Sequence, residues 1–274
     1  MRRVAIAVSH ANQEPYSSIL EGFKRPNTFQ FDEFTFDLYY FEGRQTRKWE
    51  TWVRRKVEEI RYTPLWPILR VYDNLTLPIS ARKSLDVKVD SEKLEHKVLR
   101  INTPEDQRHI AIKVYAVAKF CQEKKYDFLI RTTSNSIINL SKVVSLIRES
   151  DSKELLYAGR EVRAYQRPSF ISGSFLVLNQ KAIEFLLAMR HVHNYGVLDD
   201  VAIGKIFDNE SIKVSKKTVK SVDFIDVQSA MDFPNEDFQE VMHYRCKANS
   251  NPRNDLEVMR ALAQNLDRLG VAYV

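Results

Sequence analysis

Glycine is scarce in this chain, with 7 residues in 274. Gly22, Gly43, Gly159, Gly173, Gly196, Gly204 and Gly270 stand too far apart for G-x-G-x-x-G, and none opens a phosphate-binding loop. That excludes a conventional dinucleotide fold and a Walker ATPase. Cysteine is scarcer still. Cys121 and Cys246 form no C-x-x-C pair, which excludes a zinc ribbon and favours a reducing compartment. The six histidines include no H-E-x-x-H. No apolar run reaches the roughly 18 residues of a membrane span. The run Val4 to Val8 behind Arg2 and Arg3 is too short for a secretory signal, so it reads as a first β-strand.

What is present is an ordinary globular balance, 44% hydrophobic and 28% charged. The length suits one large domain, 1–274. The net charge of +6 suits a phosphate-bearing partner without demanding a nucleic acid. Strands are expected at Val4–Val8, Phe34–Phe41, Tyr126–Arg131, Leu155–Ala158, Phe170–Leu178 and Val222–Val227. Helices are expected at Leu140–Glu149, from Asn179 to about Arg190, at Val201–Phe207 and at Asp255–Leu269. Thr103-Pro104-Glu105-Asp106 carries a cap, a first-turn proline and acids, and predicts a further helix start. Strands alternating with helices predict an α/β fold whose mixed, mainly parallel sheet is flanked by helices. The polar loop after the first strand, with Ser9 and His10, then lies where open α/β sheets bind ligands.

Two stretches stand apart. From Arg44 to Tyr62, Trp49, Trp52, Val53, Val57 and Ile60 share one helical stripe, with arginines and lysines on the other faces. Such a helix is expected to dock on the sheet; the alternative is stacking of nucleic-acid bases on tryptophan. Residues 79–103 are polar without a clear period and are expected to form an insertion or mobile loop.

An ordered series of segments between residues 104 and 250 resembles a known family. His109-Ile110-Ala111-Ile112-Lys113 resembles N-L-T-x-K, and Cys121 stands where that family often has a cysteine. The run Arg131 to Asn139 resembles K-x-D-D-D-x-F-V-N. The run Pro168 to Phe175 resembles P-x-Y-x-S-G-x-x-Y, and Leu198 to Gly204 resembles E/D-D-V-x-x-G. His243 resembles a late histidine near the family's metal site. The family is that of the inverting β-1,3-glycosyltransferases of the galactosyltransferase and Fringe type, with the GT-A fold.

The resemblance implies transfer of a sugar, with inversion, from a nucleotide-sugar donor (a UDP-sugar) to an acceptor hydroxyl. It makes Asp200 the base that takes the acceptor's proton, with Asp199 orienting it or binding the acceptor. Ser172 and Gly173 are expected at the acceptor, as a tight backbone approach to bound sugar. The chain departs from the family at its D-D-D, where Thr133, Ser134 and Asn135 leave no carboxylate. Divalent cations prefer anionic oxygens, and Asn135 with His243 makes a poor Mn or Mg site. The donor diphosphate is therefore expected to rest on cations, Arg131 and Lys113 first, with Arg160, Arg163, Arg167 and Arg245 as further candidates. Ser9, His10, Thr133, Ser134, Asn135 and His243 complete the expected donor side. No cofactor is expected; a distant carboxylate, Asp199, restoring a cation site is the alternative. His191 and His193, two apart, do not face one way on a helix and are not expected to form a metal pair.

The expected function is thus a metal-independent glycosyltransferase (hexosyl or pentosyl), cytoplasmic because no anchor of the family's usual kind is seen. Its acceptor is a saccharide, a protein, a small molecule or a modified nucleic acid. The alternatives are sugar transfer to a modified nucleic-acid base and a catalytically inactive protein that binds nucleotide sugar or glycan.

Overall fold

A computed structural model describes residues 1–11, 14–44, 87–90, 96–105, 109–150, 154–163, 169–195, 197–208 and 213–274, with isolated positions at 67 and 71. The tryptophan-bearing stretch 44–62 lies almost wholly outside the described residues, as do Arg167 and Pro168.

Apolar β-branched and aromatic runs form the sheet. β1 (Arg2–Ser9) buries Val4 to Val8 on both faces, as a central parallel strand does. It pairs in parallel with β3 (Phe34–Arg44) on one side and β6 (Phe128–Thr133) on the other. β5 (Val98–Pro104) lies parallel beyond β3, and β4 (Val87–Asp90) runs antiparallel outside β5. Beyond β6 come antiparallel β9 (Phe170–Asn179), then β8 (Leu155–Val162), then β10 (Val214–Thr218), parallel to β8. β2 (Thr28–Phe31) pairs antiparallel with the start of β3. The described residues therefore form one α/β domain on a mixed nine-stranded sheet whose centre, β6-β1-β3-β5, is parallel.

One face of the sheet buries Ala5, Ala7, Tyr39, Leu129, Leu176 and Leu178 under α2 (Ile110–Glu123) and α4 (Gln180–Ala188). There α5 (Asp199–Phe207) also packs on β9. The other face buries Val4, Ile6, Val8, Phe36, Phe128 and Val177 against α3 (Leu140–Arg148). A second, three-stranded sheet joins β7 (Ser136–Ile138), β12 (His243–Cys246) and β11 (Ser221–Phe224). A third apolar cluster ties it to α8 (Asp255–Arg268), to Ile19 of α1 (Tyr16–Gly22) and to Ala230 of α6 (Val227–Met231). The short α7 (Asn235–Phe238) adds Phe238.

Two expectations are corrected here. The sequence Thr103-Pro104-Glu105 does not start a helix. It ends β5 and is held in register on β3, with Arg44 opposite Pro104. Proline is tolerated at a strand end, where its missing N–H leaves the interior ladder intact. The next helix starts at Ile110, where the buried stripe begins. The stretch 79–103 also contributes strands at its described residues, rather than a loop throughout. Leu99, Ile101 and Thr103 are buried while Arg100 and Asn102 are exposed. That alternation of period two was hidden among the charges around it.

Candidate active site at the strand ends

β1 lies between β3 and β6, strands reached by connections running in opposite directions, and open α/β sheets bind ligands beyond the C-terminal end of such a strand. Ser9 is there in register with Thr133 of β6, and the Ser9 carbonyl accepts from the Ser134 N–H at 3.2 Å. The expected site residues gather around this end in several separate groups.

The first group is acidic and basic together. Asp199 and Asp200 open α5, where the helix dipole favours negative charge. Arg131, 6% exposed, donates from Nη1 to Asp199 Oδ2 at 2.5 Å. Its guanidinium passes directly over Gly173 of β9. A Cβ at Gly173 would stand 2.8 Å from Cζ and from both terminal nitrogens of Arg131. The close approach that requires glycine is thus to the arginine. Gly173 also donates its N–H to Asp200 Oδ2 at 3.3 Å, and Val201 donates to Oδ1 at 2.9 Å. Burial first, then the neighbouring Asp199 charge, raise the Asp200 carboxyl above its ordinary value. Two adjacent acids therefore behave differently: Asp199 is neutralised by Arg131, and Asp200 is held back from ionising. Ser172 Oγ lies 3.1 Å from Ser174 Oγ.

Lys113, 1% exposed, forms a close ion pair with Glu105, and Glu105 also accepts from the Gly43 N–H. Gly43 is needed for that contact, because a Cβ there would meet the Thr103 carbonyl oxygen at 2.6 Å. Lys113 and Arg131, the cations expected to hold a diphosphate, each already carry a carboxylate. Arg160 likewise forms a two-pronged pair with Asp223.

The turn at Thr133–Asn135 forms the next group. Asn135, 2% exposed, donates from Nδ2 to the Cys246 carbonyl at 2.9 Å and to Asp255 Oδ2 at 3.0 Å. Its Oδ1 accepts from Thr133 Oγ1 at 2.8 Å. His243 is fully buried and stacked on Phe175, with Nδ1 2.7 Å from Ser221 Oγ and Nε2 3.0 Å from Ser136 Oγ. Burial, with Arg160 and Arg245 nearby, lowers its pKa to about 3. Asn135 and His243 thus act as internal ties between the two sheets. Their ligating atoms are committed to the protein, so these residues do not fit a divalent cation. Among the described residues no group of three or more His, Cys, Asp or Glu side chains is placed to hold one. Arg245 is half-buried, and its Nε has no hydrogen-bond partner.

His10, 5% exposed, stands edge-on to Tyr40, and its Nδ1 has no hydrogen-bond partner. Burial, then the charge of His96, lowers its pKa to about 4. Tyr115, which feels the charge of Asp199, escaped sequence reasoning. Tyr115 Oη lies 3.0 Å from His193 Nδ1, and Tyr195 stacks obliquely on that ring. His193 is buried with its pKa lowered to about 4 by burial, Asp199 pulling the other way. His191, two residues before, is exposed and makes its contact with the Ala188 carbonyl. The signal available for Tyr115 was its place two residues after Lys113 on a wholly buried run of α2.

No protein-family model matches the chain, and no curated protein matches it at a significant level. Among solved structures, a glycosyltransferase involved in glycosylation of the major capsid of PBCV-1 is similar over 98% of this chain and 99% of its own. The identity is 9% and the TM-score 0.40. The glycosyltransferase GlyE of Streptococcus pneumoniae TIGR4 is similar over 97% of this chain and 62% of its own, at 10% identity and TM-score 0.42. Mouse xyloside xylosyltransferase 1, in its apo form, covers 91% of this chain and 98% of its own, at 9% identity and TM-score 0.38. Likeness at this level carries nothing about chemistry, which has to be argued from the residues themselves. Among the described residues no helix is long and apolar enough to cross a membrane.

Proposed function

We propose that this chain transfers a sugar from a nucleotide-sugar donor, a UDP-sugar, to an acceptor hydroxyl, with inversion at the anomeric carbon. The observation that carries the reading is the environment of Asp200. Its carboxylate is half-buried at the C-terminal end of the sheet, aligned by the Gly173 and Val201 N–H groups, and raised in pKa by burial and Asp199. A carboxylate made more basic and held in one orientation is suited to accept a proton.

As the acceptor oxygen attacks the anomeric carbon, its proton passes to Asp200. The bond from that carbon to the diphosphate oxygen breaks, and the electron pair leaves with the diphosphate. The Asp199 carboxylate is engaged by the Arg131 guanidinium, which leaves Asp200 as the member of the pair placed to take the proton. The motif order of Arg131, Gly173 and Asp199-Asp200 supports the same reading. Asp200→Asn is expected to keep donor binding and lower turnover by about 10²-fold or more, measured as donor consumption with a panel of nucleotide sugars and acceptors. Near-wild-type turnover would refute the assignment.

A further inference from the structure

Arg25 is a buried cation with no described counter-charge. It stands between α1 and β2 and is 6% exposed. Its Nη2 donates to the carbonyls of Ser134, at 3.1 Å, and Ser136, at 2.6 Å. Its remaining nitrogens, Nε and Nη1, have no hydrogen-bond partner. The Phe23 ring lies 5.1 Å from the guanidinium carbon. Among the described residues no carboxylate pairs with it. A guanidinium stays protonated at any working pH, and carbonyls and a ring stabilise it without neutralising it. A buried charge of this kind is costly unless an anion meets it.

Its place gives the anion a chemistry. Arg25 grips the backbone of the very turn, Thr133 to Ser136, that stands where the resembled family carries its acidic triad. The hydroxyl of Ser134, on the same turn, is also buried without a partner. The unpartnered groups at this turn are therefore donors lacking an acceptor. The two cations that sequence reasoning puts first, Arg131 and Lys113, and the further candidate Arg160 are each paired with a carboxylate.

We infer that Arg25 takes the place of the divalent cation and binds the diphosphate of a nucleoside diphosphate. The inference rests on the donor class proposed above and adds the residue that recognises it. Nη1 and Nε keep unpaired N–H donors on different edges of the guanidinium, so each meets a separate oxygen of the diphosphate, and the positive charge stabilises the leaving diphosphate. No metal is then required at the Thr133–Asn135 turn.

The test is binding to the full chain in excess chelator, followed by calorimetry with UDP, uridine and inorganic pyrophosphate. Wild type is expected to bind UDP and pyrophosphate. Arg25→Met is expected to weaken both by about tenfold or more while leaving uridine affinity unchanged, and Arg25→Lys to fall between, since it keeps the charge but replaces the spread guanidinium donors by a single ammonium. Should Arg25→Met fail to fold, Arg25→Lys decides, and wild-type UDP affinity in that variant overturns the inference. It is also overturned if Arg25→Met binds UDP as wild type does, or if wild type binds UDP only when Mn²⁺ is restored. Pyrophosphate binding through Arg25 without any sugar transfer would uphold this inference and refute the transfer reading. Sugar transfer unchanged in Arg25→Met would do the reverse.

Discussion

Arg131 and Arg25 are both buried beside the end of β6, yet their charges meet different fates. Arg131 is closed by Asp199, and its guanidinium lies close over Gly173. Arg25 is met by carbonyl dipoles alone. The first is a positioning device that holds the Asp199 carboxylate in place beside Asp200. The second has charge left over for a ligand. A cation's position in a motif therefore says less about ligand binding than whether a carboxylate already occupies it.

The largest effect expected from disturbing this contrast is in Arg131→Ala. It leaves Asp199 mostly buried without its counter-charge, which costs on the order of 3 kcal/mol of stability. It also places an uncompensated charge next to Asp200, so the acid limb of the pH–rate profile is expected to move up. Thermal melting and a pH–rate profile check both. A silent Arg131→Ala would break the comparison.

Asn135→Asp probes the turn from the other direction. The new carboxylate would face Asp255 across the 3.0 Å now bridged by an amide donor. The like charges are expected to cost on the order of 2 kcal/mol near neutrality. Melting with and without Mn²⁺ checks whether the turn is a dormant metal site. A rise of several degrees on adding Mn²⁺ would show that it is.

The buried histidines give a smaller, pH-dependent effect. His243 titrates at about 3 in the fold, and His10 and His193 at about 4, against an ordinary 6.5. Between those limits the unfolded chain binds more protons than the native one, so stability rises with pH there and is lost as pH falls below about 6.5. Melting from pH 7 to pH 4 is expected to show that slope, and His243→Gln to flatten it.

The smallest effect is on Asp200 itself. Because its folded pKa is raised, the native state holds the proton more tightly, and ionisation above that pKa costs stability. Asp200→Asn is therefore expected to melt at or slightly above wild type at pH 7, and the gain to vanish in acid. A marked fall in melting temperature would mean that the carboxylate is structural.

Much of the scaffold was legible in the residues. Val4 to Val8 is an uninterrupted apolar run because both of its faces are covered. Asn179 reads as a cap, and its side chain does accept from the Ala182 N–H. Strand β5 was not legible, because its alternation is short and set among charges. The helix start at Thr103 was misread because capping residues are also compatible with a strand end that tertiary pairing claims first.

What the sequence determined by itself is local: the main strands and helices such as β1, β6, β9 and α8, and the acidic pair opening α5, which follow from periodicity and composition within a few residues, while the absence of acids at Thr133, Ser134 and Asn135 is visible only against the resembled family's motif. The tertiary structure alone decided which charges are neutralised. Arg131 meets a carboxylate 68 residues away, and Arg25 meets carbonyls 109 and 111 residues away. Neutralisation depends on distances through space that only the packed sheets establish, and at the end of β6 those distances leave one buried guanidinium paired with a carboxylate and the other, among the described residues, without a counter-charge.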